Sequence, residues 1–293
     1  LIPEVLRRMV DCGAPRAIQV DAKPHIGTNK LFRMLKGLRA ELEALGVELR
    51  FGAKVVGLRR SGDRVTGVRL ASGEVVDASA VVLAIGHSAR DTFEVLEATG
   101  VPMAPKPFAV GVRAEHPQPL IDAGQYGLPR TLARGARPAT LPPADYRLTA
   151  QTEGDRGVWS FCMCPGGMII PTSTEPEMVV VNGMSSARRS TPFANSGLVA
   201  HVGLDDLERE GFGAGPLAGV EFQRALERRA FRAGGGGYHA PAMRAADLAA
   251  GRASGGLADT HFRPGLTPTD LRDVLPAFVW RGLREALARF DRK

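Results

Sequence analysis

The stretch Ala80-Val81-Val82-Leu83-Ala84-Ile85-Gly86-His87-Ser88 is apolar from its first residue to Ile85, and it ends abruptly at a glycine. A run that is apolar at every position predicts a β-strand covered on both faces, as in a parallel sheet flanked by helices. Gly86 has no Cβ, so it allows a sharp turn or a close approach of the backbone to a flat ligand. His87 and Ser88 would then lie at the carboxyl end of the strand, where open α/β sheets bind ligands.

An amphipathic helix and an antiparallel meander are predicted before this stretch. Between Thr28, the expected N-cap, and Leu45, apolar residues recur at three- and four-residue steps. The alternation from Val47 to Val55 predicts a strand. Turn signals at 61–63 and 72–73 bound a further strand at Val65–Leu70, so the chain reverses direction twice.

The second half of the chain predicts a β-rich unit followed by helices. Ser88, which precedes Asp91 by three residues, predicts a capped helix that ends near Ala98, and prolines at 102, 105 and 107 mark a boundary after it. The strands predicted beyond the boundary are Phe108–Glu115, Tyr146–Gln151, Val158–Cys164, Met168–Pro171, Met178–Asn182 and Leu198–Val202. Helices are predicted at Pro3–Met9, Ala218–Phe231, Pro241–Ala250 and Pro268–Phe290.

The composition is that of an ordinary globular protein, with 293 residues of which 44% are hydrophobic and 24% charged. No apolar run approaches the ~20 residues that a membrane span needs, and no signal segment opens the sequence. With three cysteines and no even-numbered framework, we expect a cytoplasmic protein. The net charge of +7 raises the question of nucleic acid, but the basic residues are scattered, so nucleic-acid binding is not favoured.

Several literal motifs, taken in order, resemble a family of bacterial FAD-dependent dehydrogenases. They are Pro24-His25-Ile26-Gly27-Thr28-Asn29-Lys30-Leu31, Leu83 to Phe93, Lys106 to Arg113, Phe161-Cys162-Met163-Cys164-Pro165-Gly166-Gly167 and Asn182-Gly183-Met184-Ser185. The resemblance implies a glutathione-reductase-type FAD domain interrupted by a β-rich substrate domain. It also implies FAD as cofactor, a small-molecule substrate and NAD(P)H as a candidate co-substrate.

The chain departs from this family in one physical respect. Members carry a G-x-G-x-x-G unit whose helix N-terminus holds the FAD pyrophosphate, and a second glycine-rich segment that contacts the flavin. The nearest patterns here, Gly213-x-Gly215-x-x-Ala218 and Gly235-x-Gly237-x-x-Ala240, do not follow directly on a predicted strand. The chain therefore resembles an internal part of the family's proteins, and we expect it to bind FAD weakly or not at all by itself.

The expected fold is α/β with an α+β insertion. Residues 1–104 would form a partial, Rossmann-like FAD-binding domain with its meander. Residues 105–265 would form the β-rich substrate domain. Residues 266–293 would be a helical segment that leads back toward the FAD domain.

The C-x-C motif within Val158–Cys164 admits several interpretations. In an extended strand, Ser160, Cys162 and Cys164 share one small face, and the bulky residues share the other. A small face suits the close approach of a flavin ring or of a neighbouring helix. A metal site needs about four ligands, and no second cysteine pair exists to complete one. A C-x-C disulfide is geometrically awkward, although a redox pair stays open.

The candidate site residues follow from these elements and from the resemblance. Val55 could recognise the adenine through its backbone or be an ordinary core valine, and Ser88 could equally be only a helix cap. His87 and His25 are the candidate catalytic residues, as proton donors, with a structural hydrogen bond as the alternative for His25. The remaining candidate cofactor contacts are Gly27, Thr28, Ala84, Gly86, Cys164, Gly166 and Gly167. The candidate substrate contacts are Ser160, Cys162, Arg113, Arg188 and Arg189, of which the arginines could hold a carboxylate or a phosphate or simply be solvated.

The leading hypothesis is an FAD-dependent oxidoreductase that passes hydride between NAD(P)H or a reduced substrate and the flavin. One alternative is a flavoprotein that binds or modifies RNA, which only the positive charge favours. A second alternative is a flavin-binding protein without turnover.

Overall fold

The computed structural model describes residues 1–128, 137–138 and 140–291, and it confirms the mixed α/β class. The helices are α1 (Ile2–Asp11), α2 (Thr28–Ala44), α3 (Arg90–Ala98), α4 (Gln118–Tyr126), α5 (Leu204–Arg209), α6 (Ala218–Ala233), α7 (Ala245–Ala250) and α8 (Ala277–Phe290). The strands are β1 (Val55–Ser61), β2 (Arg64–Leu70), β3 (Val75–Asp77), β4 (Phe108–Pro117), β5 (Thr149–Thr152), β6 (Arg156–Cys164), β7 (Met168–Pro171), β8 (Val181–Met184), β9 (Phe193–Val202), β10 (Ala240–Ala242) and β11 (Leu266–Pro268).

The chain divides into two compact units, each described here by itself. The first, called the sheet unit, comprises Leu1–Leu45, Phe108–Val202 and Ala225–Lys293. The second, called the meander unit, comprises Gly46–Pro107 and Gly203–Arg224.

The sheet unit is organised around a four-stranded antiparallel sheet of order β4-β9-β6-β5. Helix α8 covers one face of this sheet, because its apolar residues recur at three- and four-residue steps and so form a single stripe. Val279 and Leu283 of that stripe are buried against Val158, Leu198 and Ala200 of the sheet. This face therefore holds the main hydrophobic core of the unit.

The opposite face of the same sheet is lined differently, and we call it the open face. The register places Arg113 of β4, Gly197 of β9 and Phe161 of β6 side by side on it. Phe161 is 52% exposed, whereas Val158 on the core face is 1% exposed. Strand β8 packs over this face at Arg113, since a Cβ on Gly183 would lie 2.0 Å from Arg113 Nη2. The face is therefore uncovered around Phe161, where it can receive a ligand or another surface.

The meander unit confirms the predicted antiparallel meander. Strands β1, β2 and β3 are joined by tight turns and pair in sequence order, and α3 packs on β1. The turn between β1 and β2 contains Gly62 with φ of +58°, a left-handed conformation that glycine adopts at low cost.

Two predicted strands are wrong. Residues 47–54 lie outside any strand, and regular pairing begins only at Val55. Residues 80–85 form no strand either, and Val82 is 87% exposed. A continuous apolar run encodes burial, but a strand also needs a neighbour to complete its backbone hydrogen bonds. Among the residues that the structure describes, no strand pairs with this segment.

Several element boundaries also differ from the prediction. The N-cap of α2 is Gly27 rather than Thr28, and that of α3 is Ala89 rather than Ser88. The helices predicted from Pro241 and from Pro268 begin later, because β10 and β11 pair in parallel and occupy their first residues. Helices α4 and α5 were not predicted from the sequence.

Candidate functional site

Residues 185–191, called the bridging loop, join two predicted site segments of the sheet unit. One end of the loop rests on the start of α2. The Thr28 N–H donates to the Ser185 carbonyl at 3.1 Å, and His25 Nε2 lies 3.0 Å from the carbonyl oxygen of Ser186. The sequence analysis proposed His25 as a proton donor and Thr28 as a cofactor contact, and these hydrogen bonds give each residue a structural role in the fold.

Gly27 explains why the loop can approach so closely. Its φ is +87°, and a Cβ added to it would lie 2.2 Å from the backbone nitrogen of Ala187. The Ala187 N–H donates in turn to Asn29 Oδ1 at 2.9 Å. Glycine at position 27 is therefore required for backbone packing. From the sequence alone, this requirement looks the same as a requirement for close contact with a cofactor.

The other end of the bridging loop is held by the turn that follows β6. The Thr191 N–H donates to the Gly166 carbonyl at 3.2 Å, and Thr191 Oγ1 donates to the Gly167 carbonyl at 2.5 Å. A Cβ on Gly166 would lie 1.8 Å from the carbonyl oxygen of Arg189. The structure thus brings Gly166, Gly167 and Arg189 together, as well as His25, Gly27 and Thr28 at the far end of the loop.

A β-bulge overturns the predicted common face of Ser160, Cys162 and Cys164. Phe161 pairs with Gly197 and Cys164 pairs with Asn195, so two residues of β6 lie opposite one residue of β9. Cys164 therefore lies on the side of Phe161, where it is buried, and Cys162 is exposed with φ of +48°. Ser160 faces the core side, where its Oγ accepts the Leu148 N–H at 2.8 Å.

Arg113, on β4, reaches across β9 and anchors this bulge. Its Nη2 donates to the Cys162 carbonyl at 2.6 Å and contacts Cys164 Sγ at 3.4 Å, while its Nε donates to Asn195 Oδ1 at 2.7 Å. Nη1 lies 3.4 Å from Asn182 Oδ1. All of these acceptors are neutral, so the guanidinium is fixed in position without a carboxylate partner among the described residues.

The Cys164 thiol is poorly suited to act as a nucleophile. Burial raises the pKa of this thiol above its ordinary value, and the nearby Arg113 charge only partly opposes that effect. A thiol with a raised pKa is protonated at neutral pH, and the thiolate is the reactive form. Its position favours a packing role beneath the bulge.

The remaining candidates lie in the meander unit. Val55 opens β1, and Ala84, Gly86, His87 and Ser88 are exposed along the segment that leads to α3. Gly86 has φ of +70° and open space around it. An exposed apolar segment that ends at an uncrowded glycine fits contact with the flat rings of FAD.

A cradle for the FAD pyrophosphate is not found among the described residues. Residues 213–218 connect α5 to α6, and residues 235–240 connect α6 to β10. Neither glycine pattern joins a strand to a helix, which is the arrangement that presents free N–H groups to phosphate. Among the described residues, neither glycine pattern is therefore placed as a phosphate cradle.

The sequence analysis did not find one partly buried chain of hydrogen-bonded polar side chains. His116 Nε2 lies 2.8 Å from the Tyr146 hydroxyl, which lies 2.6 Å from Ser196 Oγ. Burial lowers the pKa of His116 and raises that of Tyr146. The three residues are far apart in sequence and share no motif, so no local signal could have grouped them.

The described residues contain no helix that is both long and apolar enough to cross a membrane. Across the same residues, no three side chains of the metal-binding types His, Cys, Asp and Glu are grouped.

Comparison with known proteins adds the family. Residues 107–293 match the family model described as "FAD-dependent protein, C-terminal domain-like", and residues 27–168 match that described as "FAD dependent oxidoreductase". A protein of Clostridium beijerinckii described as "Uncharacterized protein" is 39% identical over 292 residues, which is 99% of this chain and 53% of that protein. The chain thus spans about half the length of this relative. It belongs to the family of FAD-dependent proteins with this C-terminal domain, which confirms the resemblance to FAD-dependent proteins and FAD as the family's cofactor.

Proposed function

We propose that this member of the FAD-dependent family is part of an oxidoreductase that passes hydride between NAD(P)H or a reduced small-molecule substrate and the flavin. The match of residues 107–293 to an FAD-dependent family carries the proposal. The match of residues 27–168 to FAD-dependent oxidoreductases supports the reaction class. The predicted division at residues 104 and 265 and the glutathione-reductase-type arrangement belong to the same proposal.

The segment from Ala84 to Ser88 is the proposed contact to the flavin rings, with Val55 as the proposed contact to adenine. Bound FAD supplies the redox chemistry, since it accepts and returns hydride. His87 is our first choice as proton donor because its side chain is exposed beside Gly86. His25 is second, because its Nε2 is engaged by the Ser186 carbonyl and only its other ring nitrogen is free of that contact.

The open face of the sheet is the proposed wall of the substrate cavity. A Cβ on Gly197 would lie 2.6 Å from the Phe161 ring, so the glycine lets this ring lie flat on the sheet. A flat apolar surface favours a ring or an apolar substrate and displaces water from it. Cys162 borders this face and remains a proposed substrate contact, whereas Ser160 faces the core and is proposed as structural.

The decisive experiment is anaerobic reduction of the full-length protein. NADH and NADPH are added separately while the visible flavin absorption is recorded, and we expect bleaching by one or both. His87→Ala should slow turnover without preventing flavin binding, and His239→Ala, also exposed, is the matched control. Bound flavin that neither a nicotinamide nucleotide nor a reduced dye can bleach would contradict the proposal and support flavin binding without turnover.

The RNA-binding alternative gains no support from the structure. Several surface arginines pair with carboxylates, such as Arg50 with Glu74 and Arg39 with Glu43. Paired charges do not present the continuous basic surface that phosphate backbones require.

A further inference from the structure

Arg189, in the bridging loop, carries a positive charge without an ion-pair partner among the described residues. Its Nε is buried without a hydrogen-bond partner, although the residue as a whole is only half-buried. No carboxylate among the described residues pairs with its guanidinium. Buried polar groups of native proteins are nearly always satisfied, so an exception calls for an explanation.

The surroundings of Arg189 also favour the binding of an anion. The backbone of Arg189 meets the turn at Gly166, and that turn continues the β6 bulge that Arg113 anchors from β4. Arg113 is also charged and contacts only neutral acceptors. A guanidinium that is partly shielded from water and has no carboxylate partner attracts an anion more strongly than a solvated surface arginine does.

The backbone at Arg189 is held rather than mobile. Its φ is +48°, which is uncommon for a residue with a Cβ, and its N–H donates to the Ser186 carbonyl at 3.1 Å. The loop is attached to α2 at one end and to Gly166 and Gly167 at the other. A side chain carried on a fixed backbone loses less entropy when it binds a ligand.

The three predicted arginines therefore separate into different roles. Arg188 is exposed and has no anchoring contact in the described residues. The donors of Arg113 are largely occupied in holding the bulge, so it is a positioning residue. Only Arg189 combines partial burial, a fixed backbone and a guanidinium without a partner.

We propose that Arg189 binds an oxyanion of the reacting small molecule. This inference rests on the proposed function, and two sources supply the same chemistry: a carboxylate of the substrate or the 2′-phosphate of NADPH. A guanidinium binds either through paired N–H donors.

The first test measures anion binding without turnover. The full-length protein is labelled with ¹⁵N in its arginine side chains, the Nε–H resonance of Arg189 is assigned from its absence in Arg189→Lys, and acetate and inorganic phosphate are titrated separately. We expect a saturable shift of this resonance with at least one anion, unchanged in Arg188→Gln. No saturable shift with either anion overturns the proposal, whether or not the flavin can be reduced.

The second test identifies the source. If phosphate binds, Arg189→Gln should raise the KM for NADPH by roughly tenfold to a hundredfold, as expected for loss of a hydrogen bond to a charged group, and leave that for NADH nearly unchanged. If acetate binds and both nucleotide KM values are unchanged, the anion is the substrate's carboxylate. Equal effects of Arg188→Gln and Arg189→Gln on anion binding would remove the special role of Arg189.

Discussion

Replacing Gly166 by alanine tests whether the bridging loop and the β6 turn are packed as closely as the structure indicates. Gly166 has φ of +51°, and the added Cβ would lie 1.8 Å from the Arg189 carbonyl oxygen. The left-handed conformation costs alanine about 1–2 kcal/mol, and relieving the overlap by backbone movement costs about 1–3 kcal/mol more. The movement also weakens the bond from the Gly166 N–H to Gln118 Oε1, now 2.7 Å, which contributes about 1 kcal/mol.

We therefore expect Gly166→Ala to lower the free energy of unfolding by about 3–6 kcal/mol. Gly127→Ala is the matched control, because Gly127 has φ of +65° and nothing within 4 Å of its would-be Cβ, so only the conformational cost of about 1–2 kcal/mol applies. Urea unfolding followed by tryptophan fluorescence reports on the sheet unit, since both tryptophans, Trp159 and Trp280, belong to it. Equal destabilisation by the two substitutions would show that the loop does not press on Gly166.

Three further predictions concern the core, the partly buried His116 and the bulge. Leu283 is 1% exposed, so Leu283→Ala should lower the free energy of unfolding in urea by about 2–5 kcal/mol. Leu120 is 49% exposed, so Leu120→Ala should lower it far less. Similar losses for the two variants would contradict the packing of α8 on the sheet. Burial lowers the pKa of His116 in the folded state, so on acidification the unfolded chain binds the proton first. The free energy of unfolding should therefore fall as the pH drops below about 6.5, by at most about 1.4 kcal/mol per pH unit, until the pH passes the pKa of the folded state. His116→Gln should reduce that slope, and an unchanged pH profile would exclude the histidine as its source. Cys164→Phe should lower the stability of the protein by about 1–3 kcal/mol because the thiol is buried. Cys162→Phe should change the stability by no more than about 0.5 kcal/mol because Cys162 is exposed. Thermal unfolding that ranks the two variants the other way would refute the bulge.

Local periodicity determined much of the secondary structure. The three- and four-residue steps after Thr28 correctly predicted α2, and the turn signals around β2 correctly predicted the antiparallel meander. Both signals act between near neighbours in the chain, so a single sequence contains them. The motifs that resemble FAD-dependent proteins were likewise sufficient for the family.

Tertiary structure decided which side each site residue faces and what it contacts. The apolar run at 80–85 encodes burial but cannot supply the neighbouring strand that would make it part of a sheet. The position of Cys164 depends on the bulge, which arises from its register with β9 about thirty residues later. His25 meets Ser186 across 161 residues of sequence, and periodicity carries no information about such a contact because it depends on how whole elements pack. The sequence therefore determined much of the secondary structure and the family. Only the packing of the elements showed that Arg189 is half-buried without a partner for its Nε, whereas Arg188 is exposed and Arg113 holds the bulge.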